Sequence, residues 1–320
     1  MKLVKTIFVL AVFLLMISSC LQEEKSNLIL LSPEIPKDVP LIFAPDIITV
    51  DSLLEGSITF SPEMDEIFFN QRKPRESHNV YTIKWVNGSW TTPQLARFST
   101  NTKYLDVHPR FNPQGNRLYF GSRRPLPDTT ETSGFHQWYV DKNENGWGEP
   151  VPMAKPLVDR WIMCVTASEN GNLYYTSREE GQKPENEGIY FALNQEGKLG
   201  PSQKMGKEIN EPGTWIAHPY IAPDESYIIY DAERTSIPEN GDLYISFNKN
   251  GVWSESYSLG PEINTDLSEN AATVSPDGKY LFFSRGEEKV RDDGSTYWLA
   301  DLYWVDFIRL RERIEKTNMK

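Results

Sequence analysis

The stretch VSPDGKYLFFSR, residues 274–285, is a polar turn followed by an alternating apolar strand and a terminal arginine, and it recurs along the chain. Aligned on the turn, the copies are ITFSPEMDEIFFNQR (58–72), HPRFNPQGNRLYFGSR (108–123), CVTASENGNLYYTSR (164–178), HPYIAPDESYIIYDAER (218–234) and ATVSPDGKYLFFSR (272–285). The turn begins at Ser61, Asn112, Ser168, Ala222 and Ser275, giving intervals of 51, 56, 54 and 53 residues. A repeat of this period constrains the fold more than any composition does, because one copy is a supersecondary unit that cannot bury its own faces.

Each copy carries two further pieces. A second aromatic strand follows, NVYTIKW from Asn79, QWYVDK from Gln137, GIYFAL from Gly188, DLYISF from Asp242 and DLYWVD from Asp301, with tyrosine at its third place every time. After it come a turn, often with Trp (NGSW, NGWGEP, NGVWSE), and a short last strand. Four short strands per unit, separated by Gly, Pro, Asn and Asp, predict an all-β chain. A four-stranded unit of this length predicts a propeller blade, and five blades in a ring bury both faces of every sheet. The composition agrees: 22 prolines and 20 glycines supply turns, while 39% hydrophobic and 12% aromatic residues supply a core.

On these residues, above all SPDGKYLFF, HPRFNPQGNRLYF and NGWGEPVPM, the chain resembles the TolB-like, WD-repeat-like propellers of bacterial periplasmic proteins and lipoproteins, over about residues 44–308. The resemblance implies an all-β propeller, and the five copies count as five blades. Six blades are commoner in that family, and no sixth turn is found. Its motifs speak for fold and poorly for function, since the family hosts scaffolds, binding proteins and accessory domains of hydrolases. The fifth copy lacks a last strand. LIFAPDIITV, residues 41–50, is expected to supply it and close the ring, removing an open edge. The propeller is expected over 41–308, and FIRLRERIEKTNMK is expected as a short helix or tail, with 309–320 lying beyond the propeller.

The first nineteen residues read as a leader: Lys2 and Lys5, an apolar run from Ile7 to Ile17, then Ser18, Ser19 and Cys20. The run is short for a membrane span. ISSC resembles a bacterial lipobox, which implies cleavage before Cys20, a lipid on that cysteine, and an envelope location, with the outer membrane as the expected one. Residues 20–40, with Pro33, Pro36 and Pro40, are then expected to be a tether. If Cys20 carries lipid, Cys164 has no disulfide partner, because the chain has two cysteines in all. The formal net charge of −12 becomes −14 once Lys2 and Lys5 leave with the leader, which argues against nucleic acid as a partner.

In a blade, the loop leading into the first strand and the loop after the second lie on one rim. The SPDG turns lie on the other, and there Gly or Asn is expected at positive φ. The first rim is where the copies differ, so function is sought there. One alignment column reads Glu55, Asp106, Ile162, Ile216 and Glu269, and Trp161 and Trp215 stand one residue earlier in copies three and four. This predicts a funnel with an acidic side and an aromatic side. His108 and His218 are expected to begin first strands, and Arg72, Arg123, Arg178, Arg234 and Arg285 to end second strands on the same rim. The arginines are expected to pair with rim carboxylates or cap carbonyls. His78 and His136 show no pattern, and Cys164 is expected as a buried apolar residue. Trp90, Trp147 and Trp253 are expected in blade-to-blade contacts. No metal set with suitable spacing is seen, and no G-x-S-x-G, G-x-G-x-x-G or P-loop, so no cofactor is expected.

The leading expectation is a membrane-anchored, non-enzymatic propeller that binds an envelope protein or a glycan through Glu55, Asp106, His108, Trp161, Trp215, His218 and Glu269. Aromatic faces suit sugar rings, and carboxylates accept hydrogen bonds from hydroxyls. The alternatives are a glycan-acting hydrolase using Glu55, Asp106 and Glu269 as its carboxylates, or a pure envelope scaffold.

Overall fold

A computed structural model describes residues 27–318 apart from 52, 74–75, 100–102, 128–133, 156, 180, 182, 184–186, 212–213 and 234–239. Cys20 and Arg234 therefore lie outside the described residues. The chain is all-β and forms a β-propeller of consecutive antiparallel units. The first unit runs Leu54–Phe60, Glu66–Arg72, Asn79–Val86, Gln94–Leu95. The second runs Asp106–Phe111, Arg117–Ser122, His136–Asn143, Val151–Pro152. The third runs Ile162–Ala167, Leu173–Ser177, Gly188–Ala192, Gln203–Lys204. The fourth runs Thr214–Ile221, Tyr227–Glu233, Gly241–Lys249, Tyr257–Ser258. The fifth has three strands of its own, Ser268–Val274, Tyr280–Val290 and Thr296–Asp306. Its fourth place is filled from the N-terminus, where Leu41 and Ile42 pair antiparallel with Trp304 and Tyr303.

The ring is held by apolar clusters, each shared between two units. Phe68 and Phe98 of the first unit meet Phe111, Phe120 and Trp147 of the second. Tyr119 of the second joins Val165 and Tyr175 of the third, and Tyr174 of the third joins Ile216 and Tyr230 of the fourth. Ile229 and Ile245 of the fourth join Leu281 and Phe283 of the fifth. Phe282 and Trp304 of the fifth join Ile58 and Phe69 of the first. Trp147 shows the logic: its ring stands edge-on to Phe68 at 5.6 Å and its Nε1 donates to Glu66 Oε1 at 3.1 Å, both across the boundary. Trp90 and Trp253 pack against the neighbouring boundaries in the same way.

The polar turns recur as expected. In each, the first residue's N–H donates to the carbonyl of the residue that opens the second strand (in the third unit Asn172, just before it), and its own carbonyl accepts from the residue three places on (Met64, Gly115, Gly171, Glu225, Gly278). That residue sits at positive φ in all five turns, but only three are glycine; Met64 (φ 54) and Glu225 (φ 59) adopt a conformation that L residues rarely take. The expectation of Gly or Asn there fails at these two.

Three segments lie beyond the repeated pattern, and the last in the chain takes the helical form expected as one of its two alternatives. Residues 27–40 are not a free tether: Leu28 and Leu31 are buried between the fifth and first units, and Asp38 pairs with Arg309 at 2.9 Å. The C-terminal segment is a helix, Phe307–Asn318, that buries Phe307, Leu310 and Ile314 against the fourth and fifth units. The segment between Arg285 and Asp301 is an extension of the fifth unit's hairpin. Its strands pair from Tyr280↔Asp306 out to Val290↔Thr296, closed by a turn with Gly294 at φ 81.

Candidate functional site

All five inner strands break register partway along, between Glu55 and Ile58, Val107 and Arg110, Met163 and Thr166, Ala217 and Tyr220, and Asn270 and Thr273. Such bulges re-aim side chains and are frequent beside functional sites. His108, Cys164, His218 and Ala271 occupy four of them at positive φ of 45–54°. His108 and His218 thus lie inside bulges rather than at the starts of strands. Their rings meet across the centre of the propeller, with centroids 4.6 Å apart.

A side chain of one unit's second strand ties down the bulge of the next. Asn70 Oδ1 accepts from the backbone N–H of His108 (3.3 Å), Thr176 Oγ1 from that of His218 (2.9 Å), and Asp231 Oδ1 from that of Ala271 (3.0 Å). Ser284 Oγ donates to the Glu55 carbonyl at 2.8 Å. The second unit departs from the pattern: Gly121 holds this place, and a Cβ there would lie 2.2 Å from the Phe135 ring, which fills the space. Below this layer Arg110, 2% exposed, plugs the channel. Its guanidinium donates to the carbonyls of Ile58 (2.9 Å), Ala271 (3.1 Å) and Ala272 (3.0 Å), joining the second unit to the first and fifth.

Above the layer, on the rim of the leading loops, opens a cavity of about 430 Å³. Its floor includes Asn70, His108, Asn270 and Ser284, and its wall includes Arg72, His78, Arg123, Phe135, Trp161 and Trp298. A second cavity of about 560 Å³ adjoins it, sharing Leu105, Arg123, Phe135 and Trp161. Neither lining contains an Asp or Glu among the described residues. Both histidines of the first cavity are neutral at ordinary pH. Burial and the neighbouring Arg72 hold His78 down to about 4, and it accepts a hydrogen bond from Asn70 Nδ2 at 3.2 Å. Burial, His218 and Arg110 push His108 well below its usual value.

The acidic side of the funnel expected from sequence is not at its surface. Glu55, Asp106 and Glu269 are fully buried. Strand alternation explains why: their neighbours Leu54, Gly56, Leu105, Val107 and Asn270 face the opening, so the acids point into the sheet packing. Asp106 accepts two bonds from Arg124 (2.9 and 2.8 Å) and one from Ser99 (2.8 Å). Glu269 accepts from Arg285 Nε at 2.8 Å and Thr265 Oγ1 at 2.6 Å. Burial pushes both carboxyls up, while these donors pull them back. Glu55 has no cation: Gln71 donates to it at 2.9 Å, its Oε2 meets no partner, and burial raises it to about 8. As a carboxylate trio for glycoside hydrolysis these residues lack access to the opening, which corrects that assignment.

Of the other expected rim residues, His108 and Trp161 line the funnel. His218 lies beneath, its Nδ1 3.0 Å from both oxygens of Asp231. Trp215 stands 41% exposed and lines neither cavity. Among the described residues no group of three or more His, Cys, Asp or Glu is placed to hold a metal. Cys164 is buried and unbridged. The sequence reading missed Asn70, His78, Phe135 and Trp298. For Trp298 a signal existed in the alternation TYWLA (296–300) after the turn pair Asp293-Gly294.

No family model and no curated protein matches the chain. Among solved structures it is similar to TolB from Acinetobacter baumannii (TM-score 0.45, 14% identity, over 78% of this chain and 54% of that one). It is also similar to a thermostable family-43 glycoside hydrolase (TM-score 0.45, 16% identity, 79% and 91% covered). A third is a gluconolactonase from Xanthomonas campestris (TM-score 0.45, 12% identity, 85% and 98% covered). The chain spans about half the length of that TolB. Identities this low carry no activity from one chain to another.

Proposed function

We propose that the protein is a lipid-anchored, five-bladed propeller of the bacterial envelope, attached through Cys20, that binds a ligand in the leading-loop funnel as a recognition module. The observation that carries this reading is the funnel's lining. Half-buried rings of Trp161, Phe135 and Trp298 surround a small number of polar groups, Asn70, Asn270, Arg72 and Arg123, in a volume suited to a small ligand or an inserted side chain. The carboxylates that hydrolysis would require are buried in structural bonds. The ligand is proposed to be a glycan or a segment of an envelope protein.

The test is a glycan array run beside an envelope pull-down, using the full-length chain in detergent and its Trp161→Ala variant. Retention of a sugar or a single protein by the wild type, lost in the variant, supports the funnel as the site. Retention unchanged by Trp161→Ala removes it. Labelling of cells with an alkyne fatty acid, present in the wild type and lost in Cys20→Ser, tests the anchor.

A further inference from the structure

Arg72, Arg123 and Arg178 occupy equivalent places, each just after the residue that faces the inner strand (Gln71, Ser122, Ser177), whereas Arg285 stands one place earlier, opposite Glu269. Arg178 pairs with Glu187 at 3.1 Å, and Arg285 with Glu269 at 2.8 Å. In the second unit Arg124 holds Asp106, and Arg123 is left exposed at the funnel with no side-chain partner among the described residues. In the first unit Arg72 donates only to the Trp298 carbonyl, at 3.1 Å. The acid at the place of Glu269 in this unit, Glu55, is buried against Gln71, which stands where the fifth unit has Arg285. Two neighbouring units have thus released their rim arginines from carboxylates, and both guanidinium groups line one cavity.

Resting on the binding reading above, we propose that the funnel recognises a sugar that carries an anionic group, a carboxylate or a phosphate, with Arg72 and Arg123 engaging the anion and Trp161, Phe135 and Trp298 covering the ring. An arginine fork suits both oxyanions, and two of them in a site without acids attract negative charge in a chain that is acidic overall. The neutral His78 and the carboxamides of Asn70 and Asn270 offer hydrogen bonds to hydroxyls without adding charge. Arg178 lies over the Trp161 ring at 4.7 Å and braces it at the cavity wall. Burial, and after it the neighbouring Arg291, push Arg72 down, so a third positive group stands close to the arginine of the first unit.

The experiment is titration calorimetry on the full-length chain in detergent with digalacturonate, glucose 6-phosphate and maltose, repeated for Arg123→Gln, Arg72→Gln and Trp161→Ala, with circular dichroism to establish folding. Among the described residues Arg123 has no side-chain partner to lose, so its variant keeps the fold. The expected result is at least about tenfold tighter binding of one anionic probe than of maltose, a loss of about tenfold in Arg123→Gln, and a salt dependence that weakens in that variant. Preference for digalacturonate assigns the anion as carboxylate, and preference for glucose 6-phosphate as phosphate. Maltose bound as well as the anionic probes overturns the inference, and if Trp161→Ala abolishes that binding the funnel still stands as a site. Anionic binding unchanged in both arginine variants also overturns it. Silence of all three probes at millimolar concentration overturns it too, and the pull-down then decides separately whether the funnel binds anything.

Discussion

The sharpest quantitative consequence of the structure concerns Glu55. Its carboxyl is fully buried, has no cation, and is pushed from 4.5 to about 8 chiefly by burial. An acid whose folded value lies above its unfolded value keeps a proton that the unfolded chain has given up. Its contribution is therefore fully present below pH 4.5 and declines as pH rises, until it is lost above about pH 8. At about 1.4 kcal/mol per unit, the full span is about 5 kcal/mol. Relaxation around the buried group reduces this toward about 3 kcal/mol. Glu55→Gln keeps an acceptor for Gln71 and removes the titration. Urea unfolding of both chains at about pH 5, 7 and 9 reads the difference directly, and subtraction cancels the other groups, including Glu187, which burial raises to about 7. The wild type should lose 3–5 kcal/mol relative to the variant across that range, by an order-of-magnitude estimate. Parallel curves, differing by a constant, would refute the assignment of Glu55 as a neutral buried acid, and with it one reason why Arg72 is left without a carboxylate.

Three further outcomes follow from named contacts. Glu269→Ala, which leaves Arg285 in a largely closed site, should cost about 3 kcal/mol in urea unfolding, and loss within experimental error would place the pair on a wetter surface than the structure does. Arg110→Met removes donors to three buried carbonyls from two units and should cost about 3 kcal/mol or more, read as an earlier thermal transition of the whole ring. Gly278→Ala and Gly115→Ala form a matched pair, since both sit at φ near +70°, where an L residue costs about 1 kcal/mol. A Cβ at Gly278 meets nothing, whereas one at Gly115 lies 2.6 Å from Pro62 of the neighbouring unit, so Gly115→Ala should be the more damaging. Equal losses would refute the close approach.

The architecture was legible because it is written five times. Each SPDG-like turn, each third-strand tyrosine and the missing last strand of the fifth unit are local signals, and Leu41 and Ile42 do take the empty place. The tryptophans at the far turns were legible for the same reason, since an aromatic repeated at a turn has one neighbour it can always reach, the adjacent unit. The site was read less well. The alignment placed Glu55, Asp106 and Glu269 correctly along the strands, but the face that each residue takes depends on the phase of the pleat, and the inner-strand bulges offset it. Phe135 and His78 were not legible at all, because they reach the funnel from loops, and no period governs where a loop returns.

Repetition also supplies the standard against which the funnel can be judged. A residue type that recurs at one place in several units invites a shared structural role, and Arg178 fills such a role with the buried carboxylate of Glu187. Arg72 and Arg123, at the same place in units one and two, have no carboxylate partner among the described residues. Fold stability gains nothing from an unpaired guanidinium at an opening, and a chain of net charge −12 has acids to spare for pairing it. Gly121 departs from the same pattern in the second unit and admits the Phe135 ring to the same cavity. Departures at two repeat places, one of them in two units, therefore converge on one cavity wall, and they bring it positive charge and an aromatic face together. That convergence, rather than any single residue, is what ties the funnel to recognition and makes the arginine variants the decisive ones to measure.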